Sequence, residues 1–282
     1  MSNSDVFKPF AILLIVFWLT VFVFIPNLGV VIISFLERDE RTFINFVFTL
    51  KNYEKLFSVI YLKVFFKTFI IAMCITLVCL LLGYFFVYAI FQTTKNKKIK
   101  DFLLILVIIP FWTSSLIRTY SIMVLLRANG VVNNFLMSIG VIEAPLELLY
   151  NEFAIAVGLV YSLLPFMILP IYTSFDKLDY NYIYAAQDLG ARKLSTLIRI
   201  IIPLTKFGII TGCILVFLST LGMFFIPELL GGSKEILLGN LIKNQFLIAR
   251  DWPFGAAIAT MLTAILVKIM FFQNRNTDQV VI

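Results

Sequence analysis

Apolar residues come in long runs along this chain, and polar residues gather between them. The first run, Pro9 to Leu36, is twenty-eight residues without a charge. About twenty helical residues, at 1.5 Å each, cross the hydrocarbon core of a bilayer. The excess length predicts a tilted helix or one interrupted near Pro26. A cleaved secretory signal has a shorter apolar core and a small-x-small site behind it; Asn27-Leu28-Gly29 is a poor match, so a retained helix is expected. Glu37 to Lys67 is polar, with two amphipathic patches, one of them Thr49 to Tyr53. The second run covers Thr68 to Phe91 and includes Gly83. A third starts at Phe102 and contains Pro110, Trp112 and Arg118; hydropathy leaves open whether it stops there or continues to Leu126. The fourth, Phe153 to Phe175, is expected to be broken by Pro165 and Pro170. Phe207 to Pro227 and Pro253 to about Gln273 are the fifth and sixth. The pattern predicts an all-α, polytopic membrane protein with six transmembrane helices in one domain, residues 1–282.

Composition sharpens this. With 61% hydrophobic and 14% charged residues in 282 positions, the chain has more apolar surface than a water-soluble core can bury. A net charge of +7 suits a protein beside anionic lipid, and its basic residues are scattered among loops, which argues against a nucleic-acid groove. Cys74, Cys79 and Cys213 all fall inside apolar runs without a C-x-x-C, as buried small hydrophobes do. Histidine is absent, which removes the commonest metal ligand and general base; no metal site or catalytic group is expected. No G-x-x-x-x-G-K-[ST] is present, so ATP-driven work would fall to a partner.

Between the fourth and fifth runs lies a polar island, Asp176 to Lys206, with five basic and three acidic residues. Asp179 can accept from the free N–H groups of a helix reaching Leu189, and Gly190 suits the left-handed turn that closes one. Leu194 to Ile202 predicts a second short helix, with Pro203 where a span can begin. Ile183, Ala186, Leu189 and Gly190 recur at helical spacing, so small and apolar groups share a face beside charged flanks. Such a loop is a helix–turn–helix plug offered to another protein.

Tyr184-Ala185-Ala186-Gln187-Asp188-Leu189-Gly190-Ala191, with Ile200 and Pro203, resembles the EAA loop of permease subunits of ATP-binding-cassette importers: E-A-A, three residues, Gly, nine residues, then I-x-L-P. Tyr184 stands at the usual glutamate and Ile202 at the leucine, which puts one loop-internal hydrogen bond or ion pair in question. Three further stretches, Pro110 to Arg118, Glu228 to Gly232 and Arg250 to Ala257, are similar to permease subunits of spermidine/putrescine importers, closest to the B type. The resemblance covers nearly the whole chain. It implies the type I importer permease fold (MetI-like) in a bacterial inner membrane. It also implies a second homologous permease, two copies of a cytoplasmic ATPase that binds the ATP, and a periplasmic or lipid-anchored polyamine-binding protein. No cofactor is implied for this chain. Tyr184, Ala185, Ala186, Asp188, Leu189, Gly190 and Ala191 would contact the ATPase. The loop would then face the cytoplasm with both termini, and so would the dense run Lys95, Lys97, Lys98, Lys100, in keeping with the positive-inside rule.

A polyamine needs acceptors for its ammonium groups and apolar walls for its methylenes, and aromatic faces offer both. Candidate groups along a cargo pathway are Trp112, Tyr161, Phe224, Phe225, Glu228, Asp251 and Trp252; Trp112 and Trp252 equally suit an interfacial belt, and Glu228 and Asp251 the points where helices reach water. Arg118 would repel a polycation and is expected to snorkel or pair within the bundle. The Gly208-to-Gly212 GxxxG and the Gly255/Ala259 pair predict close-packed helix seams. Open alternatives are a permease for another small solute such as ferric ion or phosphonate, a membrane-embedded enzyme, and a self-sufficient carrier or channel. The last leaves the docking loop unexplained.

Overall fold

The computed structural model describes residues 12–39, 41–94, 96–232 and 235–278. The expected start of the first span at Pro9, and Lys95 in the lysine run, lie outside the described residues. Contacts sort the chain into two units, Met1–Lys63 with Leu241–Ile282, and Val64–Asn240.

In the first unit, α1 (Ile12–Ser34) is apolar on all sides, and its only buried residue is Ser34 at the end. A helix with no polar face belongs in lipid. It widens into a π-turn at Thr20–Phe24, where the Ile25 N–H reaches back to the Thr20 carbonyl. Pro26 follows at once. A proline has no N–H and its ring crowds the carbonyl four residues back, and the π-turn makes room for both. The polar segment that follows is not wholly helical: β1 (Leu36–Glu37) and β2 (Asn45–Phe48) form an antiparallel hairpin. α2 (Lys51–Leu56) then takes up the Thr49–Tyr53 patch, and Ser34 and Tyr53 share a 2.7 Å hydroxyl hydrogen bond.

The helix carrying the second span, α3 (Val59–Thr93), starts nine residues before the expected Thr68 and runs for 35 residues. The third span is bent. α4 (Lys97–Ile108) tightens to a 3-10 turn at Ile109–Trp112, and α5 (Ser115–Leu126) departs after a 92° bend. Pro110 removes a donor, and Thr113 donates both its N–H and its hydroxyl to the Pro110 carbonyl, which fixes the break. So the helix ends near Pro110 and a second one continues to Leu126. α6 (Val131–Ser138) follows.

The fourth span corrects an expectation: α7 (Glu152–Asp176) passes through Pro165 and Pro170 without a break. In hydrocarbon an unwound turn would expose several backbone groups, whereas a continuous helix leaves only those that the prolines free. α8 (Tyr180–Asp188) is the first helix of the polar island. The second is not a separate short helix. Residues from Lys193 run into the fifth span as one helix, α9 (Lys193–Gly222), through a π-turn at Leu197–Ile201. Here too the π-turn comes just before a proline, Pro203, with the Ile202 N–H bonded to Leu197. α9 ends at Gly222 rather than Pro227, which lies inside the short α10 (Phe225–Gly231). α11 (Leu238–Leu247) and α12 (Trp252–Asp278) complete the chain.

The GxxxG seam works within the chain. A Cβ on Gly208 would stand 2.5 Å from the Pro170 carbonyl, and one on Gly212 2.7 Å from Met167 Sδ, so α9 lies directly on α7. The core of the second unit gathers on α7, where Ile155, Leu159, Leu163, Met167 and Ile171 are fully buried. Among the described residues five helices are long and apolar enough to cross a bilayer, and the bent pair, taken as one span, makes a sixth.

Candidate functional site

The polar island folds as its caps dictate. Asp179 Oδ1 accepts from the Asn181 N–H at 2.9 Å and starts α8. At the other end Gly190, at φ +81°, donates to Gln187 at 2.9 Å, and Ala191 donates to Ala186 at 3.0 Å. These two bonds make a Schellman turn, which satisfies carbonyls the helix would otherwise leave open. The shared face divides: Ala186 is buried, whereas Leu189 stands 88% exposed at the tip. Tyr184, Ala185, Asp188 and Gly190 are exposed and Ala191 half-buried, so most of the sequence-predicted contact residues are open to a partner.

α8 is seated on the helices beside it by polar and aromatic groups. Lys100, at the start of α4, is only 7% exposed. Its Nζ donates to Tyr180 Oη at 3.0 Å and lies 3.9 Å from the centroid of the Phe91 ring. Phe91 in turn packs on Tyr172 and Phe175, at 5.4 and 5.2 Å between centroids. Tyr172 Oη donates to Asp101 Oδ1 at 2.8 Å. Beside these groups a cleft of about 120 Å³ is lined by Tyr88, Phe91, Phe175, Tyr180, Ile183 and Tyr184, among others.

The predicted cargo-facing residues fall in both units. In the second, Trp112 ends the 3-10 turn at the bend, 86% exposed. Just past the bend the Arg118 guanidinium lies over the Phe111 ring at 4.4 Å and 6.0 Å from the Tyr161 ring, with its Nε buried and without a hydrogen-bond partner. Phe224 and Phe225 meet edge to face, centroids 5.9 Å apart. On α10, Ile226 and Leu230 are buried against Gly158 of α7, so Glu228 lies on the exposed side of that helix. Its place in the first turn favours a negative charge.

In the first unit Asp251 is 5% exposed and committed to its own neighbours. Its carboxylate takes Lys55 Nζ at 3.1 Å, approaches Arg38 at 3.9 Å, and accepts from the Phe254 N–H at 3.2 Å to cap α12. Trp252 stacks on Phe43 at 5.7 Å.

Two groupings were not anticipated from the sequence. One is Lys100, although Lys100, Leu104 and Val107 recur at helical spacing on the face turned to the core, a signal present in the sequence. The other is Lys67, which pairs with Glu152 at 2.8 Å and with Glu235. These three residues lie far apart in sequence, and no local pattern links them.

A capped helix and a glycine turn joining two apolar spans, among several helices of membrane-crossing length, mark a polytopic membrane protein. This chain belongs to the family of binding-protein-dependent transport system inner membrane components, whose sequence profile matches residues 81–281. It is 49% identical over 255 residues to the spermidine/putrescine transport system permease protein PotB of Escherichia coli, covering 90% of this chain and 92% of that protein. The protein of the same name from Salmonella typhimurium is 47% identical over 266 residues, covering 94% and 92%. That from Haemophilus influenzae is 44% identical over 272 residues, covering 96% and 94%. In fold the chain is similar to a bacterial ABC transporter involved in the import of the acidic polysaccharide alginate, with a TM-score of 0.73 at 16% identity over 99% of this chain and 97% of that one.

Proposed function

We propose that this chain is the permease subunit of an ATP-driven spermidine/putrescine importer. The observation that carries the proposal is 44–49% identity to permeases of that name over at least nine-tenths of the chain. The exposed Leu189 tip and the Gly190 turn fit the part of the loop that receives an ATPase, and hydrolysis belongs to that partner, present in two copies. A second, homologous permease completes the pathway, and a binding protein delivers the cargo, in keeping with the family's binding-protein dependence. The dense lysine run at 97–100 and the 176–206 loop then face the cytoplasm, as do both ends of the chain. Glu228 and the aromatic pair Phe224 and Phe225 face the arriving cargo. Trp112 and Tyr161 offer further rings along the way. Asp251 holds its own unit together instead of meeting cargo.

The test is binding of radiolabelled spermidine, putrescine and ferric ion to the cognate binding protein, followed by uptake into proteoliposomes holding the whole importer. Spermidine or putrescine should bind and accumulate with ATP. Ferric ion as the transported species would move the chain to another cargo, and uptake without ATP would make it a self-sufficient carrier.

A further inference from the structure

Of the three described lysines in the 97–100 run, Lys97 and Lys98 are exposed and Lys100 alone is buried. Among the described residues no carboxylate forms an ion pair with it. The ammonium is held instead by the Tyr180 hydroxyl at 3.0 Å, the face of Phe91 at 3.9 Å and the Tyr180 ring at 5.4 Å. Burying an ammonium is costly, and a methionine of similar length would fill the same space without that cost. What lysine adds is a directed, charge-assisted donor and attraction to two ring faces. The hydrogen-bond acceptor and one of the two rings belong to Tyr180, the first residue of α8. Phe91 lies two residues before the last residue of α3, and Lys100 itself is in the first turn of α4. The contact thus joins the loop's first helix to the ends of two spans that precede it by 80 residues or more in sequence.

We infer that Lys100 is a positioning residue for energy coupling: its ammonium ties α8 to the ends of α3 and α4, so that displacement of the loop by the ATPase moves those spans. The inference rests on the reading of residues 176–206 as the ATPase-contacting loop. Without the tie, α8 still docks, but part of its movement is lost as slack between loop and spans. Hydrolysis then continues with less cargo carried per ATP. Arginine keeps the charge, a donor for Tyr180 and a planar group for Phe91. Phenylalanine at Tyr180 keeps the ring and removes only the acceptor.

The experiment uses the whole importer, with partner permease, ATPase and binding protein, in proteoliposomes. Radiolabelled spermidine uptake and ATP hydrolysis are read in the same vesicles. Lys100→Met is expected to lower spermidine carried per ATP about tenfold, within the usual range of coupling between sites, with basal hydrolysis and assembly kept. Lys100→Arg should stay within about twofold of the wild type. Tyr180→Phe should fall in the same direction as Lys100→Met, and the double variant should be no worse than the Lys100→Met single, because one contact is being removed twice. If Lys100→Met does not accumulate in the membrane, Tyr180→Phe and Lys100→Arg decide alone. An unchanged ratio in Tyr180→Phe, or full additivity in the double variant, overturns the inference. Gly190→Val separates the two levels. If it uncouples while Lys100→Met and Tyr180→Phe do not, the loop reading stands and the Lys100 tie falls. If Gly190→Val transports normally, the loop reading itself falls.

Discussion

The Ala191 N–H donates to the Ala186 carbonyl at 3.0 Å, folding the chain back over Gly190 at the tip of the loop. A Cβ on Gly190 would meet nothing within 4 Å, so the obstacle to substitution is the backbone's φ of +81° and not space. A β-branched residue there costs about 1–2 kcal/mol or more, whereas asparagine adopts this conformation readily. Gly190→Val is therefore expected to cut both uptake and transport-coupled hydrolysis at normal membrane abundance, and Gly190→Asn to keep most of each.

The topology predicts a shared cytoplasmic side for Lys98 and Asn181, both exposed. Single cysteines at these positions, in a background lacking Cys74, Cys79 and Cys213, should resist an impermeant thiol reagent in intact cells and react after permeabilisation. Labelling of either one from outside would reverse the orientation.

Glu228 follows the Phe224–Phe225 pair on α10, and in the proposed function these rings supply the second half of a cation's environment. Glu228→Gln should lower polyamine uptake mainly at low cargo concentration, and Glu228→Asp should lower it less. Uptake and membrane abundance are measured side by side. A fall in abundance that accounts for the whole effect would leave Glu228 a purely structural role, and unchanged uptake at every concentration would remove it from the pathway.

Asp251 makes the opposite prediction. Replacing it with alanine leaves Lys55 and Arg38 without their carboxylate and α12 without its cap. Both cations are about half exposed, so water replaces part of what is lost, and the expected destabilisation is about 1–3 kcal/mol. Thermal unfolding in detergent should move to lower temperature, while uptake per folded molecule stays the same. A selective loss of uptake with unchanged unfolding would return Asp251 to the cargo pathway.

Local chemistry was legible in the sequence and distant chemistry was not. Asp179 and Gly190 could be read because a cap bonds within its own turn. The spans could be read because hydrocarbon demands some twenty apolar residues whatever their order. Pro165 and Pro170 misled, since the rule that proline breaks helices is learned in water, where freed carbonyls find a solvent partner. The residue pattern makes Leu194–Ile202 a separate helix because nothing in it announces a π-turn; both π-turns come just before a proline, Pro26 and Pro203. Asp251 beside Trp252 reads in sequence as a carboxylate near an aromatic, yet Asp-Trp-Pro is also the signature of a capped helix start, and the structure has the cap. Lys67, Glu152 and Glu235 meet only after α3 and α7 have packed, so no sequence window contains them together.

The continuity of α9 has a mechanical consequence. Its 30 residues, at about 1.5 Å each, make a rod of about 45 Å. One end belongs to the loop and the other stops just short of Phe224. Gly208 and Gly212, resting on the α7 backbone, sit near its middle and can serve as a fulcrum, since a surface without side chains lets one helix roll on another. A tilt of about 10° about that point sweeps each end through about 4 Å in opposite directions, by the length of the rod alone. On the proposed function, a push at the loop end of α9 reaches the Phe224 end through this one helix, with the Leu197–Ile201 π-turn as the compliant turn on the way.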